Sequence, residues 1–199
     1  MSSIELAAGA ELEGVELSSL LLDGADAGSM RLERVHLENV NLGESKLRGV
    51  RILDTASTAL SAANGDWGGA QLSRVAFEGG RLTGLSLGEA RIEEVQFKDC
   101  KLDYANFRHS VIDHVTFDGC VMRGADFQGA AISASRFANC ELGGADFSKA
   151  EMASVDLAGS SLEIAGSVLA LRGAIVDSLQ LIELAPRMAQ ALGITVKEA

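Results

Sequence analysis

The sequence predicts an all-β solenoid: a four-sided parallel β-helix of about eight 20-residue coils, followed by an α-helical C-terminal cap. The first observation behind this prediction is a period of five. Steps of five from Leu12 to Leu162 reach 31 positions, of which 28 are Leu, Ile, Phe, Met or Trp. Neither a helix, with a period of about 3.6, nor a strand, with a period of two, has this spacing. The backbone must therefore turn every five residues and point the same side chain inward each time.

A second inward position and a recurrent corner residue support the same fold. The residue two places before each large apolar position is small or β-branched in most units, as at Val95, Cys100 and Ala105. Two places after it, many units carry Gly or Asn, which tolerate the positive φ of a type II turn. These corner residues are Gly14, Gly24, Gly49, Gly69, Gly79, Gly84, Gly119, Gly124, Gly129, Gly144 and Gly159, with Asn39, Asn64 and Asn139.

A longer period of 20 residues indicates four sides per coil. Identical residues recur at this spacing in predicted core columns: Cys100, Cys120 and Cys140; Phe97, Phe117 and Phe137; and Phe107, Phe127 and Phe147. Four five-residue sides make one coil, so that like side chains stack on like in successive coils. With parallel ladders ~4.8 Å apart, the predicted rod is roughly 38 Å long.

Three of the repeat units resemble the A(D/N)LXX consensus of the pentapeptide-repeat family: Ala105-Asn106-Phe107, Ala125-Asp126-Phe127 and Ala145-Asp146-Phe147. The resemblance covers roughly residues 8–166. It implies a right-handed quadrilateral β-helix. The best-understood members, the Qnr- and MfpA-type proteins, imitate duplex DNA, bind DNA gyrase or topoisomerase IV and protect it from quinolones or natural gyrase poisons. They form dimers through C-terminal elements.

The chain divides into three predicted regions: a lead-in or N-terminal cap at 1–10, the β-helix at 11–166 and a helical cap and dimerisation element at 167–199. The repeat weakens between Leu53 and Ala70, where Ser57 and Ala62 occupy large apolar positions. Either one deformed coil is packed with small side chains, or a loop of a multiple of five residues projects. We favour the deformed coil because the phase is restored at Trp67.

Helical spacing replaces the repeat after Ser178, where Leu181, Leu184, Ala185, Met188 and Leu192 fall on one face. We expect Asp177 or Ser178 to cap the start of this helix and Gly193 to end it. Pro186 predicts a kink or two short helices, because it removes one backbone hydrogen bond. Ile194-Thr195-Val196 is a candidate final strand.

The helix is expected either to plug the last coil or to plug it and also form a homodimer surface. The second interpretation is favoured because Leu179 and Ile182 give the helix another apolar side, and because the family resemblance implies dimers. The predicted interface comprises Leu179, Leu181, Ile182, Leu184, Met188 and Leu192.

The net charge of −11 is distributed unevenly. Residues 1–30 carry six acids and no base, residues 31–110 balance, and residues 111–171 carry eight acids against three bases. The mean charge density is about half that of duplex DNA, which has one charge per ~1.7 Å. Equivalent acids such as Asp126 and Asp146, Glu93 and Asp113, or Glu13 and Glu33 should stack on one side. The candidate partner-binding acids are Asp113, Asp118, Asp126, Glu141, Asp146, Glu151 and Asp156.

No catalytic, cofactor or metal constellation is predicted. His109 and His114 occupy successive corners and should diverge, whereas metal ligands converge at about 2 Å from the ion. The three cysteines are predicted to pack in the core as reduced thiols. No apolar run approaches the ~20 residues of a membrane span. We therefore expect a cytoplasmic, non-enzymatic protein with no cofactor, small-molecule substrate, membrane contact or direct nucleic-acid binding.

The leading functional hypothesis, which rests on the family resemblance, is a homodimeric DNA mimic that binds a type II topoisomerase. The runner-up is a structural scaffold or interaction module with an unrelated protein partner. Acidic surfaces are common and contribute to solubility, so charge alone does not separate the two hypotheses.

Overall fold

The protein is a parallel β-solenoid of about eight turns with a single C-terminal helix, in agreement with the predicted fold class. The computed structural model describes residues 6–197, so part of the predicted lead-in at 1–10 lies outside the described residues. Every ladder along the repeat joins a residue to the one 20 positions later, as in Phe97 with Phe117. Four such ladders run side by side, one on each side of the coil.

Two of the four sides are built from short strands. Side 1 contains β1 (Glu11–Glu13), β3 (Arg31–Glu33), β7 (Arg91–Glu93), β9 (Val111–Asp113), β11 (Ala131–Ser133) and β13 (Glu151–Ala153). Side 2 contains β2 (Glu16–Ser18), β4 (His36–Glu38), β8 (Gln96–Lys98), β10 (Thr116–Asp118), β12 (Arg136–Ala138) and β14 (Val155–Asp156). The longer strands β5 (Arg51–Thr58) and β6 (Gln71–Glu78) pass around the corner and belong to both sides.

The other two sides pair through single parallel bridges in each coil. Side 3 runs from the Leu21–Asn41 bridge to the Glu141–Ser161 bridge. Side 4 runs from the Asp26–Lys46 bridge to the Asp126–Asp146 bridge. Side 4 thus shows the predicted stacking of Asp126 on Asp146, and side 1 stacks Glu13 on Glu33 and Glu93 on Asp113.

Two ladders of phenylalanine rings fill the middle and C-terminal coils. The rings of one ladder stack in parallel at centroid distances of 4.7–5.0 Å, and the two ladders meet edge to face. Both arrangements are favourable for aromatic quadrupoles. The first ladder contains Phe77, Phe97, Phe117 and Phe137, and the second contains Phe107, Phe127 and Phe147. All seven side chains are buried.

The cysteine column lies inside the solenoid, and its three residues are free thiols. The sulfur atoms of Cys100, Cys120 and Cys140 each donate to the carbonyl of a phenylalanine in the preceding coil, at 3.4 Å. Ser160 continues the column and donates in the same way to the Phe137 carbonyl, at 2.9 Å. Hydrogen bonding with the two neighbouring sulfurs, together with burial, raises the pKa of the Cys120 thiol. The column therefore supplies hydrogen-bond donors to backbone carbonyls of the phenylalanine ladder.

The weak segment between Leu53 and Ala70 forms a regular coil and no projecting loop. Its backbone pairs with the coils on both sides, through β5 on β6 and through bridges at Ser61 and Asp66. Ser57 and Ala62 are buried, and the large indole of Trp67 lies in the same coil. The indole Nε1 donates to Ser45 Oγ at 3.0 Å. This coil therefore has the small residues Ser57 and Ala62 at two inward positions and the large Trp67 at a third.

The corners adopt positive φ at each predicted Gly and Asn, and also at many ordinary residues that the sequence did not single out. Tyr104 is one of these, with φ of 57°. Its ring leans over the next corner on the same edge, where a Cβ on Gly124 would lie 2.8 Å from the ring. A larger residue at 124 would therefore have to displace the Tyr104 ring.

The C-terminal region closes the last coil with three elements. A 3₁₀ helix spans Val168–Leu171, the strand β15 (Ala174–Ile175) pairs with β14, and the helix α1 spans Ser178–Ala191. Of the two expected cap residues, Asp177 caps α1, and it does so through a capping box with Gln180. Gly193, at φ of 71°, ends the helix in a Schellman motif, with hydrogen bonds from Gly193 to Gln190 and from Ile194 to Ala189.

Two expectations for this region are wrong. Pro186 does not divide α1, which runs as one 14-residue helix. Docking contacts from Leu184 and Arg187, on either side of the proline, hold the helix against the solenoid. Ile194-Thr195-Val196 forms no strand. β15 takes the last edge position instead, because it pairs directly with β14.

Two side chains of α1 satisfy the open carbonyls of the last coil. The buried amide of Gln180 donates to the carbonyls of Leu157 and Ser160, both at 2.7 Å. The guanidinium of Arg187 donates to those of Ile164 and Gly166, both at 2.9 Å. A parallel ladder leaves such groups unpaired at its edge, and an uncovered edge invites further pairing. The helix therefore ends the ladder.

We expect Phe117→Leu to destabilise the protein by about 1 kcal/mol more than Phe77→Leu. Both rings are buried, but Phe117 has stacked neighbours on both sides and edge contacts with Phe107 and Phe127, whereas Phe77 stacks only on Phe97. The free energy of unfolding in urea measures the difference. Equal losses in the two variants would contradict a stabilising role for the ring ladder.

We also expect docking of α1 to weaken in acid through Asp177. Backbone N–H donors from Gln180, Gly159 and Leu179 lower the pKa of its carboxyl below the ordinary 3.8. A lowered pKa means that the stabilisation is present above that ordinary value and is lost as the pH falls through the folded-state pKa. Amide hydrogen exchange in α1 between about pH 5 and pH 2 measures this loss.

The matched variants are Asp177→Asn, which keeps an acceptor but cannot titrate, and Glu183→Gln on the exposed surface of the same helix. Asp177→Asn should flatten the acid dependence of exchange in α1, whereas Glu183→Gln should leave it as in the parent protein. The same acid dependence in the parent and in Asp177→Asn would assign the loss to other groups.

Candidate protein-interaction surfaces

The seven candidate acids lie on all four sides of the C-terminal half of the solenoid. Asp113 and Glu151 lie on side 1, Asp118 and Asp156 on side 2, Glu141 on side 3, and Asp126 and Asp146 on side 4. The structure therefore brings together the stacked pair on side 4 and distributes the others around the rod. No single side carries more than two of them.

Three of these carboxylates also hold the turns of the backbone. An Oδ1 atom of Asp126, Asp146 and Asp156 accepts the N–H of the residue two positions later, at 2.8–3.0 Å. Asn106, one coil before Asp126, makes the same bond to the N–H of Arg108. This local bond is typical of Asx turns. An Asp or Asn in this place thus accepts a turn hydrogen bond, and the negative charge of Asp is additional.

Three of the seven acids have an arginine as ion-pair partner, and Asp113 has His114, which forms an ion pair when it is protonated. Arg108 pairs with Asp126 at 3.1 Å, and Arg136 pairs with Asp156 at 3.5 Å. The other two pairs are Arg123 with Glu141 and His114 with Asp113. All are at the surface, where such pairs contribute at most about 1 kcal/mol. They still reduce the negative charge that a partner would meet at these four positions.

Hydrogen bonds stabilise the charged form of two of these carboxyls. Ser133 Oγ donates to Asp113 at 2.5 Å, and this bond, followed by that from His114, lowers the pKa of Asp113. Donors from Ser148 lower the pKa of Asp146. Both groups therefore keep their negative charge at neutral pH.

Asp118, Asp146 and Glu151 have no ion-pair partner among residues 6–197. They lie on three different sides near the C-terminal end. These three carboxylates are the part of the predicted acidic surface that the protein itself does not neutralise. They are the strongest candidates for contact with a cationic partner.

The second candidate surface is the apolar outer face of the C-terminal cap. Five of the six predicted interface residues are exposed: Leu179, Leu181, Ile182, Met188 and Leu192. Leu184 differs from the other five, because it is only 5% exposed and packs against the core of the solenoid. The helical pattern placed Leu184 on an apolar face but did not reveal which apolar face turns inward.

Sequence reasoning missed several residues of this surface. Four more exposed apolar side chains occur in the same C-terminal region: Leu169, Ile175, Ile194 and Val196. A groove of ≈ 490 Å³ lies between the 3₁₀ helix, β15 and α1, and its lining includes Leu169, Leu181 and Met188. The only sequence signal was the density of apolar residues after the repeat ended. Exposed apolar patches of this kind usually mark an interaction site.

Within residues 6–197, no group of three or more His, Cys, Asp or Glu side chains is placed to hold a metal ion. No helix in that range is long and apolar enough to cross a membrane. Two surfaces stand out in the C-terminal half of the solenoid, one acidic and one apolar.

Among the solved structures that resemble the chain, the one with a TM-score above 0.5 supports the fold. A trypsin-treated variant of QnrB1, described as a plasmid-mediated fluoroquinolone resistance protein, is 17% identical to the chain, with a TM-score of 0.63 over 96% of this chain and 93% of that one. HetL, a pentapeptide repeat protein involved in heterocyst differentiation regulation in the cyanobacterium Nostoc, is also 17% identical. Its TM-score is 0.25, over 81% of this chain and 92% of that one.

Comparison of the sequence alone identifies the family. No curated protein shows significant similarity to the chain. The profile of the pentapeptide repeat region matches residues 70–147 and, in a second match that overlaps the first, residues 90–165. These residues contain both phenylalanine ladders and the cysteine column, including Ser160 at its end. The period of five, the four-sided coil and this match together show that the chain is a pentapeptide-repeat protein.

Proposed function

We propose that the chain is a non-enzymatic, DNA-mimicking protein that binds a type II topoisomerase in the cytoplasm and protects it from quinolone-like or natural poisons. The observation that carries the proposal is the acidic C-terminal half of a rigid rod, adjacent to an exposed apolar cap. Residues 111–171 hold eight acids against three bases. Carboxylates of this segment would occupy the DNA-binding saddle of the enzyme.

The distribution of acids around the rod supports imitation of a duplex. Duplex DNA presents phosphates around its whole circumference, and a protein that binds DNA neutralises many of them with Lys and Arg. The candidate acids likewise lie on all four sides, and Asp118, Asp146 and Glu151 remain without an ion-pair partner among residues 6–197. The protein therefore presents negative charge in several directions at the C-terminal end.

The apolar cap supports a homodimer joined through its outer face. Leu179 is 72% exposed and Ile182 is 70% exposed, and the groove beside Leu181 and Met188 can accept side chains of a second copy. A two-fold joint at this face would place two acidic halves on either side of it. The result would be a longer rod with an acidic centre.

The alternative function is a scaffold for an unrelated protein partner. It is favoured by the internal ion pairs of Asp113, Asp126, Glu141 and Asp156, which weaken the acidic surface. It shares the apolar cap with the first proposal. A topoisomerase assay separates the two functions.

We expect the protein to inhibit supercoiling by purified DNA gyrase, or to protect gyrase from a quinolone, and we expect Asp126→Asn with Asp146→Asn to weaken this effect. Asparagine retains the turn-forming acceptor, as Asn106 shows, and removes only the charge. The half-maximal concentration should rise about tenfold, or on the order of 1.4 kcal/mol. Added salt should also weaken the effect of the parent protein on gyrase, because salt screens charges at the surface.

The matched control is Asp26→Asn with Asp66→Asn, which removes two charges from the same side in the N-terminal half. This control should act like the parent protein. Equal weakening by both pairs would show that net charge matters and its position does not. No inhibition and no protection at micromolar protein would remove the topoisomerase proposal and leave the scaffold.

We expect the protein to sediment as a dimer and Leu179→Glu with Ile182→Glu to sediment as a monomer. The two new carboxylates would have to be desolvated in the apolar interface, which is costly for an unpaired charge. Leu21→Glu is the control, because Leu21 is 81% exposed but lies at the opposite end of the rod. A monomeric parent protein, or a dimeric double variant, would contradict an interface at the cap.

A further inference from the structure

A row of arginines crosses side 1 in the N-terminal half of this acidic protein. Arg31 lies next to Arg51 in the ladder, followed by Gln71 and then Arg91. Adjacent ladder positions are ~4.8 Å apart. Like charges directly opposite one another destabilise a sheet unless an opposite charge compensates them.

Two of the three arginines have a carboxylate partner on their own strand. Arg31 donates through Nε and Nη2 to Glu33, at 3.1 and 2.6 Å, and Arg91 Nε lies 3.2 Å from Glu93. The pattern in these coils is Arg, an inward apolar residue and Glu, as in Arg31-Leu32-Glu33 and Arg91-Ile92-Glu93.

The two coils between them break this pattern. Leu53 stands where Glu33 and Glu93 stand in their coils, and Ser73 stands there in the next coil. Arg51 therefore has no carboxylate within ion-pair distance among residues 6–197. The position of the missing carboxylates is open, as a groove of ≈ 300 Å³ lined by Arg31, Arg51, Gln71, Ser73 and Arg91 among others.

The groove is rich in hydrogen-bond donors. Arg51 supplies a guanidinium, Gln71 supplies amide hydrogens and Ser73 supplies a hydroxyl. Ser73 Oγ already accepts a bond from Arg74 Nη1 at 3.2 Å, so its own hydrogen remains available to a ligand. Arg74 in turn is held by Asp54. Glu93 also lines the groove, but its carboxylate is paired with Arg91.

The charge around the groove is balanced, unlike that of the whole chain. Across side 1 and its corner from residue 31 to residue 94, together with Glu13, the partner of Arg34, five bases face five acids, whereas the whole chain carries −11. The bases are Arg31, Arg34, Arg51, Arg74 and Arg91, and the acids are Glu13, Glu33, Asp54, Glu93 and Glu94. An anion in the groove would supply the charge that Leu53 and Ser73 lack.

We propose that this arginine groove binds a doubly charged oxyanion, either phosphate or a phosphomonoester. The anion takes the place of the missing carboxylates, accepts hydrogen bonds from Arg51, Gln71 and Ser73, and separates the stacked charges of Arg31 and Arg51. Arginine is suited to this role because its planar donors match phosphate oxygens in pairs. The site is independent of the proposed topoisomerase contact, which lies in the other half of the rod.

Isothermal titration of the full chain with sodium phosphate, and separately with phenyl phosphate, tests the proposal at constant ionic strength and about pH 8, where both anions are doubly charged. We expect one saturable site per chain. Arg51→Gln should weaken binding at least about tenfold, which corresponds to about 1.4 kcal/mol. Arg81→Gln should bind like the parent protein, since Arg81 has no carboxylate partner among residues 6–197 but lies on side 3.

A second variant, Leu53→Glu, restores the Arg-apolar-Glu pattern in the third coil. It should abolish anion binding and raise the melting temperature, because the new carboxylate pairs with Arg51. Tighter binding of phenyl phosphate than of phosphate would identify an esterified ligand, and the reverse order would identify the free anion. No saturable heat, or equal losses in Arg51→Gln and Arg81→Gln, would overturn the proposal.

Discussion

The pairing of each coil with the next at an offset of 20 residues is the constraint on which the structure depends. The ladder register holds this offset on all four sides, as in Leu12 with Leu32, Phe117 with Phe137, Glu141 with Ser161 and Asp126 with Asp146. Because the offset is the same everywhere, each side chain lies over its equivalent in the coil before it. The phenylalanine ladders and the cysteine column are consequences of this geometry, since identical shapes stack without voids. The same constraint also places like charges next to one another on the outer surface, as with Arg31 and Arg51 or Asp126 and Asp146.

A ladder of this kind has two ends, and the C-terminal end is closed by polar contacts. Gln180 and Arg187 donate to carbonyls of the last coil, so the inward face of α1 is committed to the solenoid. Leu184 adds apolar contact on the same face. The remaining apolar residues of the helix must therefore face outward. The exposed patch that supports a dimer is thus a consequence of how the ladder is closed.

Periodicity made the fold predictable, and the absence of periodicity limited prediction of the cap. A side chain such as Phe117 is repeated in equivalent environments, so the pattern reports its burial many times over. Gln180 occurs once, and its buried amide is explained only by carbonyls of Leu157 and Ser160, 20 or more residues away in sequence. Corner residues such as Tyr104 were missed for another reason: their positive φ is imposed by the ladder against the local preference of the residue. The sequence identified the candidate acids, but their distribution over four sides became visible only from the strand register of the structure.

The stacking of like charges connects the two proposed binding surfaces. Wherever the offset of 20 places two equal charges together, the protein either supplies an internal partner or leaves the charge open. Arg31 and Asp126 have partners in Glu33 and Arg108, whereas Arg51 and Asp146 have none among residues 6–197. An open charge in a stacked pair carries a repulsion that a ligand of opposite sign relieves on binding, so the ligand gains affinity from strain already present in the free protein. A stacked charge without a partner is not sufficient for a site, since Arg81 stacks on Lys101 on side 3 in the same way. The position proposed for an oxyanion differs because Arg51 also lines a groove with further hydrogen-bond donors.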